Sequence, residues 1–189
     1  MIGFQFHGMN IGQFLVWFFI YSFLGWCMEC VVIRKELGYW ENRGFAKLPF
    51  CVIYGFGTFA AMLLFSPLTD NWLVLYIVCM ISATAFEYLV AMIMLKLFGN
   101  IWWNYDHKRF NYKGILCLES TLGWGLLGII IFYVINGPIE NVVKYGSDKI
   151  VGAVGIMLLT AYLIDFTWHF VKSLKAKHQE PEYEEIKQN

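Results

Sequence analysis

The chain of 189 residues is 59% hydrophobic and 19% aromatic, with a mean hydropathy of +0.55, which takes it out of the range of soluble domains. Its 14 Lys and Arg balance its 14 Asp and Glu, so total charge points to neither nucleic acid nor an acidic partner, and the placement of the charges matters more than their sum. No polar stretch is long enough for a globular extramembrane domain, and the expected fold class is all-α, a polytopic transmembrane helix bundle.

The N-terminus, MIGFQFHGMNIGQ, lacks the basic region and small-residue cleavage site of a signal peptide and is expected to be retained. Apolar runs long enough for a hydrocarbon core of about 30 Å predict about five helices, at Ile11–Ile33, Phe50–Pro67, Trp72–Leu97, Ile115–Asn136 and Ile150–Val171. The second is short and carries Gly55 and Gly57 after Pro49, so it is expected to be tilted, broken or partly re-entrant. Between the third and fourth runs, FGNIWWNYDHKRFNYKG mixes Trp102, Trp103, Tyr105, Phe110 and Tyr112 with charges and reads as a segment along the membrane interface, residues 98–115. A single domain over residues 1–172 is therefore expected, followed by a polar tail, 173–189, whose EPEYEEIKQN composition predicts disorder.

The basic residues orient this arrangement. Arg34, Lys35, Arg43 and Lys47 follow the first run, Lys96, Lys108, Arg109 and Lys113 surround the third connection, and Lys172, Lys175, Lys177 and Lys187 close the chain. Only Lys144 and Lys149 lie in the fourth connection. The positive-inside rule then puts the N-terminus outside and the C-terminus in the cytoplasm.

Four acids interrupt the apolar runs: Glu29, Glu87, Glu119 and Asp165. An ionisable group in hydrocarbon is costly unless paired, hydrated or neutralised, so four of them point to a buried polar site. At 1.5 Å per residue Glu29 and Glu119 lie about 6 Å from the inner ends of their helices, Asp165 about 9 Å and Glu87 about 15 Å. All four are expected in one layer of the cytoplasmic half, with Arg43 as a counter-ion. Asp165 and His169 are four apart and share a helix face, which suits a structural pair or a proton relay. Carboxylates with a His also satisfy Mg, Mn or Zn, and Glu29, Glu87 and Glu119 are the metal candidates, although no HExxH, DxxD or Asp-rich loop is present. Cys27 and Cys30 form a C-x-x-C inside an apolar span, where thiols act as small hydrophobes, and no disulfide is expected. Gly123, Gly125 and Gly128, with Gly152 and Gly155, give small-residue faces suited to close helix packing or a homodimer.

The stretches YSFLGWCMEC, NRGF followed by Ile53-Tyr54-Gly55-Phe56-Gly57, FEYLVAMIMLKLFG with IWWNYD, and FNYKGILCLESTLGWGLLG resemble the CmpB-type putative ABC transporter permease family of small bacterial membrane proteins. Carried over by position, Glu29, Arg43, Gly44, Tyr54, Gly55, Glu87, Trp103, Tyr105, Asn111 and Gly114 match the family pattern. Asn104 stands where the pattern has Asp, Leu95 where it has Glu, Leu48 where it has Gly and Val52 where it has Pro. The resemblance implies a multi-pass protein of the bacterial inner membrane with a transport role. The chain has no P-loop, so ATP-driven activity would require a separate ATPase subunit.

The expected function is a permease component whose buried carboxylates take a cation, a proton or a cationic group of a small-molecule substrate, with Glu29, Arg43, Tyr54, Glu87, Trp103, Tyr105, Asn111, Glu119, Asp165 and His169 as candidates. No cofactor is expected. The alternatives are an intramembrane enzyme acting on a lipid or isoprenoid phosphate, with Mg held by the acids and phosphate by Arg43, Lys47 or Arg109, and a non-catalytic partner of other membrane helices.

Overall fold

The computed structural model describes the backbone of residues 6–188 and the side chains of these apart from 36–37 and 176–188. Five helices carry the chain: α1 (Ile11–Leu37), α2 (Val52–Phe65), α3 (Trp72–Phe98), α4 (Leu118–Tyr145) and α5 (Asp148–Gln188). Four of them contain spans long and apolar enough to cross a membrane, Ile11–Lys35, Trp72–Phe98, Leu118–Tyr145 and Asp148–Lys175. The protein is a multi-pass helical membrane protein.

Local chemistry sets the helix ends. Asn10 and Gln13 form a capping box at the start of α1, and the Asn71 side chain accepts from the Leu73 and Val74 amides at the start of α3. Both helices stop at a left-handed glycine, Gly38 (φ 82°) and Gly99 (φ 77°), whose N–H returns to a carbonyl four residues back. The fourth helix runs beyond the expected Asn136, through Pro138, to Tyr145. Proline offers no N–H to the carbonyl four residues earlier, and the chain widens into a π turn over Ile131–Ile135 just before it instead of breaking. The last helix likewise continues past Val171 as far as Gln188, so the backbone of the polar tail is helical up to that residue.

The second helix is short because the chain re-enters the bundle before it starts. The Cys51 amide donates to the Ser22 carbonyl at 2.9 Å, and Ser22 lies about 22 Å along α1 from Leu37 at 1.5 Å per residue. Residues 38–51 thus descend as irregular backbone to mid-bundle. Their polar groups are met by side chains: Asn42 accepts from the Gly44 amide at 3.0 Å and from Trp26 Nε1 at 2.7 Å, and Asp165 accepts from the Leu48 amide at 2.7 Å.

The helices fall into two groups. In α1, 44% of the apolar window is buried, against 17% in α3 and 11% in both α4 and α5, so α1 is the central helix. It packs along α2 and α5, while α3 packs chiefly along α4, whose second half returns to α1. Glycines set these seams. A Cβ on Gly12 would lie 2.6 Å from the Cα of Gly152, one on Gly155 2.8 Å from the Gly12 carbonyl oxygen, and one on Gly128 2.6 Å from the Cys79 side chain. The apolar core of Met9, Trp17, Phe19, Met62 and Tyr162 fills one half of the bundle. Among the groups at the tip of that half, His7 meets Glu140 at 3.3 Å and Asn10 donates to Asp148 at 3.1 Å. At the opposite tip Phe45 contacts Phe98 and Phe166, and Phe98 contacts Phe170.

Candidate functional site

Between the two helix groups lies a cavity of about 620 Å³, which runs along α3 from Cys79 to Phe98. Most of its wall is apolar side chain from α2, α3, α4 and α5. Its charged lining residues are Glu29, Arg43 and Glu87.

Glu87 sits on α3 at 6% exposure, facing α4. Its carboxylate accepts from Trp124 Nε1 at 2.9 Å, from the Tyr105 hydroxyl at 3.2 Å and from Ser120 Oγ at 3.5 Å. Glu29, on α1, accepts from the Tyr54 hydroxyl of α2 at 2.5 Å and has Arg43 Nε at 4.0 Å. The rings of Tyr54 and Trp124 lie 5.8 Å apart, so the two carboxylates are joined through a pair of touching aromatic side chains. Arg43 reaches the site because the re-entrant segment carries it inward: one terminal nitrogen donates to the Trp102 carbonyl at 2.5 Å, and its Nε is buried without a hydrogen-bond partner.

The connection 99–117 closes the site from below. It is a self-bonded loop ending in a two-stranded hairpin, Asn111–Tyr112 with Leu116–Cys117, turned by Lys113 (φ 53°) and Gly114 (φ 66°). The side chain of Asn111 donates to the Lys108 carbonyl at 2.7 Å and accepts from the Gly114 amide at 3.1 Å, while Trp103 Nε1 donates to the Ile115 carbonyl at 2.8 Å. The Tyr105 amide donates to the Gly114 carbonyl at 2.9 Å, which points its phenol up at Glu87. Burial, and then the Glu87 carboxylate beside it, push the Tyr105 phenol well above its ordinary value, so it remains a protonated donor.

The structure thus gathers Glu29, Arg43, Tyr54, Glu87, Trp103 and Tyr105 around one cavity, with Asn111 supporting the loop beneath. Glu119 is elsewhere: its side chain is 71% exposed and pairs with Lys108 at 2.8 Å. Asp165 and His169 meet at 3.2 Å as their spacing predicts, but the Asp165 carboxylate holds the Leu48 amide of the re-entrant segment and does not line the cavity. Depth along a helix is readable from sequence, and azimuth is not. The four acids at similar depth therefore include two, Glu119 and Asp165, that face other surroundings. Among the described residues no three His, Cys, Asp or Glu side chains gather as a metal site. All five cysteines are free, with Cys30 donating to the Glu41 carbonyl.

Trp124 and Ser120 were not singled out by their sequence. Trp124 lies in LGWGLLG, where the glycines suggest only packing, yet an indole N–H in an apolar span needs an acceptor, and that need is its signal. Two of the positions that depart from the family pattern are accommodated. Asn104 accepts from the Asp106 amide at 2.7 Å, a bond Asp would also make, and Val52 is the first residue of α2, where proline fits.

Residues 16–170 match the family described as Putative ABC-transporter type IV, and the chain belongs to that family. No curated protein and no solved structure matches it.

Proposed function

We propose that this member of the ABC-transporter type IV family is the membrane-embedded binding component of a bacterial inner-membrane transport system, and that Glu29 and Glu87 take a cationic group of the substrate. The observation that carries this reading is the convergence of two carboxylates and one guanidinium on the wall of a cavity lined mostly by apolar side chains. With both acids ionised the three charges sum to minus one, and in a low-dielectric site that imbalance favours a monovalent cation. Arg43 sits beside Glu29, and Glu87 is left with neutral donors only. The energy source would be a separate ATPase subunit, since the chain carries no nucleotide-binding motif.

The enzyme alternative needs a phosphate clamp as well as a metal. Lys47 and Arg109 do not line the cavity, and among the described residues Arg43 is its one basic lining residue. A lone guanidinium beside two carboxylates disfavours a phosphate.

Thermal unfolding of the full-length chain in lipid nanodiscs, titrated with tetramethylammonium, tests the reading. The midpoint should rise saturably for the wild type and stay flat for Glu87→Gln, which keeps shape and loses charge. An equal response in both, or no response in the wild type, would overturn it.

A further inference from the structure

Two properties of the cavity exceed what a bare ion requires. The first is size: about 620 Å³ is the volume of a site for a sizeable organic molecule, whereas one water occupies about 30 Å³ in the liquid. The second is the separation of its chemistry. Glu29, Arg43 and Glu87 come together with Tyr54, Trp103, Tyr105 and Trp124 in one patch of the wall, while the remainder is lined by residues such as Ala61, Ala83, Phe86, Val90 and Leu127. Two carboxylates set among four aromatic side chains suit a weakly hydrated, alkylated ammonium better than a small, strongly hydrated ion.

The route in is also visible. Contact between α2 and α3 is sparse compared with that between α3 and α4, and the lining residues Leu64, Ile93 and Leu97 are themselves 62%, 48% and 38% exposed. The cavity is thus a cleft that opens between these helices onto their lipid-facing side. A molecule entering there keeps its apolar chain in hydrocarbon while its head moves to the carboxylates. A neutral lipid would leave the charge imbalance uncorrected, and an anionic one would meet two carboxylates for one guanidinium.

We infer that the ligand is a cationic amphiphile, with an alkylated ammonium head among Glu29, Glu87 and the aromatic rings and its apolar chain in the cleft between α2 and α3. This rests on the reading of the carboxylate pair given above and specifies its substrate class.

The test uses the full-length chain in zwitterionic lipid nanodiscs and a twelve-carbon alkyltrimethylammonium bearing a diazirine near the chain end. Photolabelling should fall on cavity-lining residues of α2 and α3. Dodecyltrimethylammonium should compete at least about tenfold better than dodecanoate at equal mole fraction in the membrane, and Glu87→Gln should cut labelling by at least about tenfold. Ala83→Phe, which narrows the cleft, should cut labelling as well. Equal competition by dodecanoate, labelling spread over lipid-facing positions such as Val134 and Trp168, or labelling indifferent to Glu87→Gln would each overturn the inference. Head-group competition uses the unaltered chain, so it decides the matter even where a variant fails to fold. If tetramethylammonium still stabilises in a Glu87-dependent way and the amphiphile does not label, the substrate class is wrong and the cation site stands. If neither acts, both fall.

Discussion

Glu87 is held by three donors that are themselves buried or half-buried, and the strongest in geometry is Trp124 at 2.9 Å. Removing that N–H with Trp124→Phe leaves one carboxylate oxygen with Ser120 alone, at 3.5 Å. The expected cost is about 1–3 kcal/mol of stability, the usual penalty for orphaning a buried acceptor. Trp168→Phe, on a side chain 72% exposed on the lipid-facing surface, should cost almost nothing, and chemical unfolding of the two variants side by side checks the difference. Arg43 makes the complementary case. Its loss leaves Glu29 with Tyr54 as its remaining partner among the described residues and frees the Trp102 carbonyl, so Arg43→Ala should destabilise by roughly 3 kcal/mol, against about 0.5 kcal/mol or less for the exposed Lys175→Ala. Equal midpoints for the two would place the guanidinium in solvent. The acids of the site were legible in the sequence because charge stands out in an apolar run. Their partners were harder to see: a Trp or a Ser in a membrane helix looks like ordinary composition until its neighbour across the seam is known. Glu119 and Asp165 show the converse, since the same rule that found Glu29 and Glu87 found them as well, and only packing separates an acid facing a cavity from one that pairs with Lys108 or pins a loop.

At the scale of elements, hydropathy located the spans to within a few residues at most ends but could not see why α2 is short. Its brevity comes from hydrogen bonds made far away in sequence, from Cys51 to Ser22 and from Leu48 to Asp165, which draw the preceding segment into the bundle. The helix seams give a sharper test. Gly12 and Gly123 are both helical glycines, and sequence alone does not rank them. A methyl on Gly12 would strike the backbone of Gly152, which cannot swing aside, whereas one on Gly123 meets nothing within 4 Å. Gly12→Ala should therefore cost about 1–3 kcal/mol through overpacking, and Gly123→Ala should stabilise by about 0.5–1 kcal/mol by restricting the unfolded chain. Opposite signs in thermal unfolding are the expected result. Two losses of similar size would mean that Gly123 lies against something in the membrane, such as a second protein, that is not part of this chain.

For the whole molecule, the decisive asymmetry is charge. Phe98 at the end of α3 meets Phe45 of the segment after α1, Trp102 of the loop before α4 and Phe170 of α5 at one tip, and in sequence every Lys and Arg except Lys144 and Lys149 belongs to the helix ends, connections and tail on that side. Lys144 is moreover neutralised by Glu140 at 2.7 Å, so the opposite tip has little positive charge to offer. By the positive-inside rule the basic tip is expected in the cytoplasm, which would put Glu29, Arg43 and Glu87 towards the inner leaflet. Single cysteines introduced into a chain freed of its own five thiols test this. Asp70→Cys and Ser147→Cys, both exposed at the sparsely charged tip, should react with a membrane-impermeant maleimide on intact cells, and Lys47→Cys and Arg109→Cys should react only after permeabilisation. The reverse pattern would turn the protein over. The geometry of Glu29, Arg43 and Glu87 would survive that reversal unchanged, but the cleft between α2 and α3 would then draw its ligand from the outer leaflet, and the loop carrying Tyr105 would close the site against the outside of the cell.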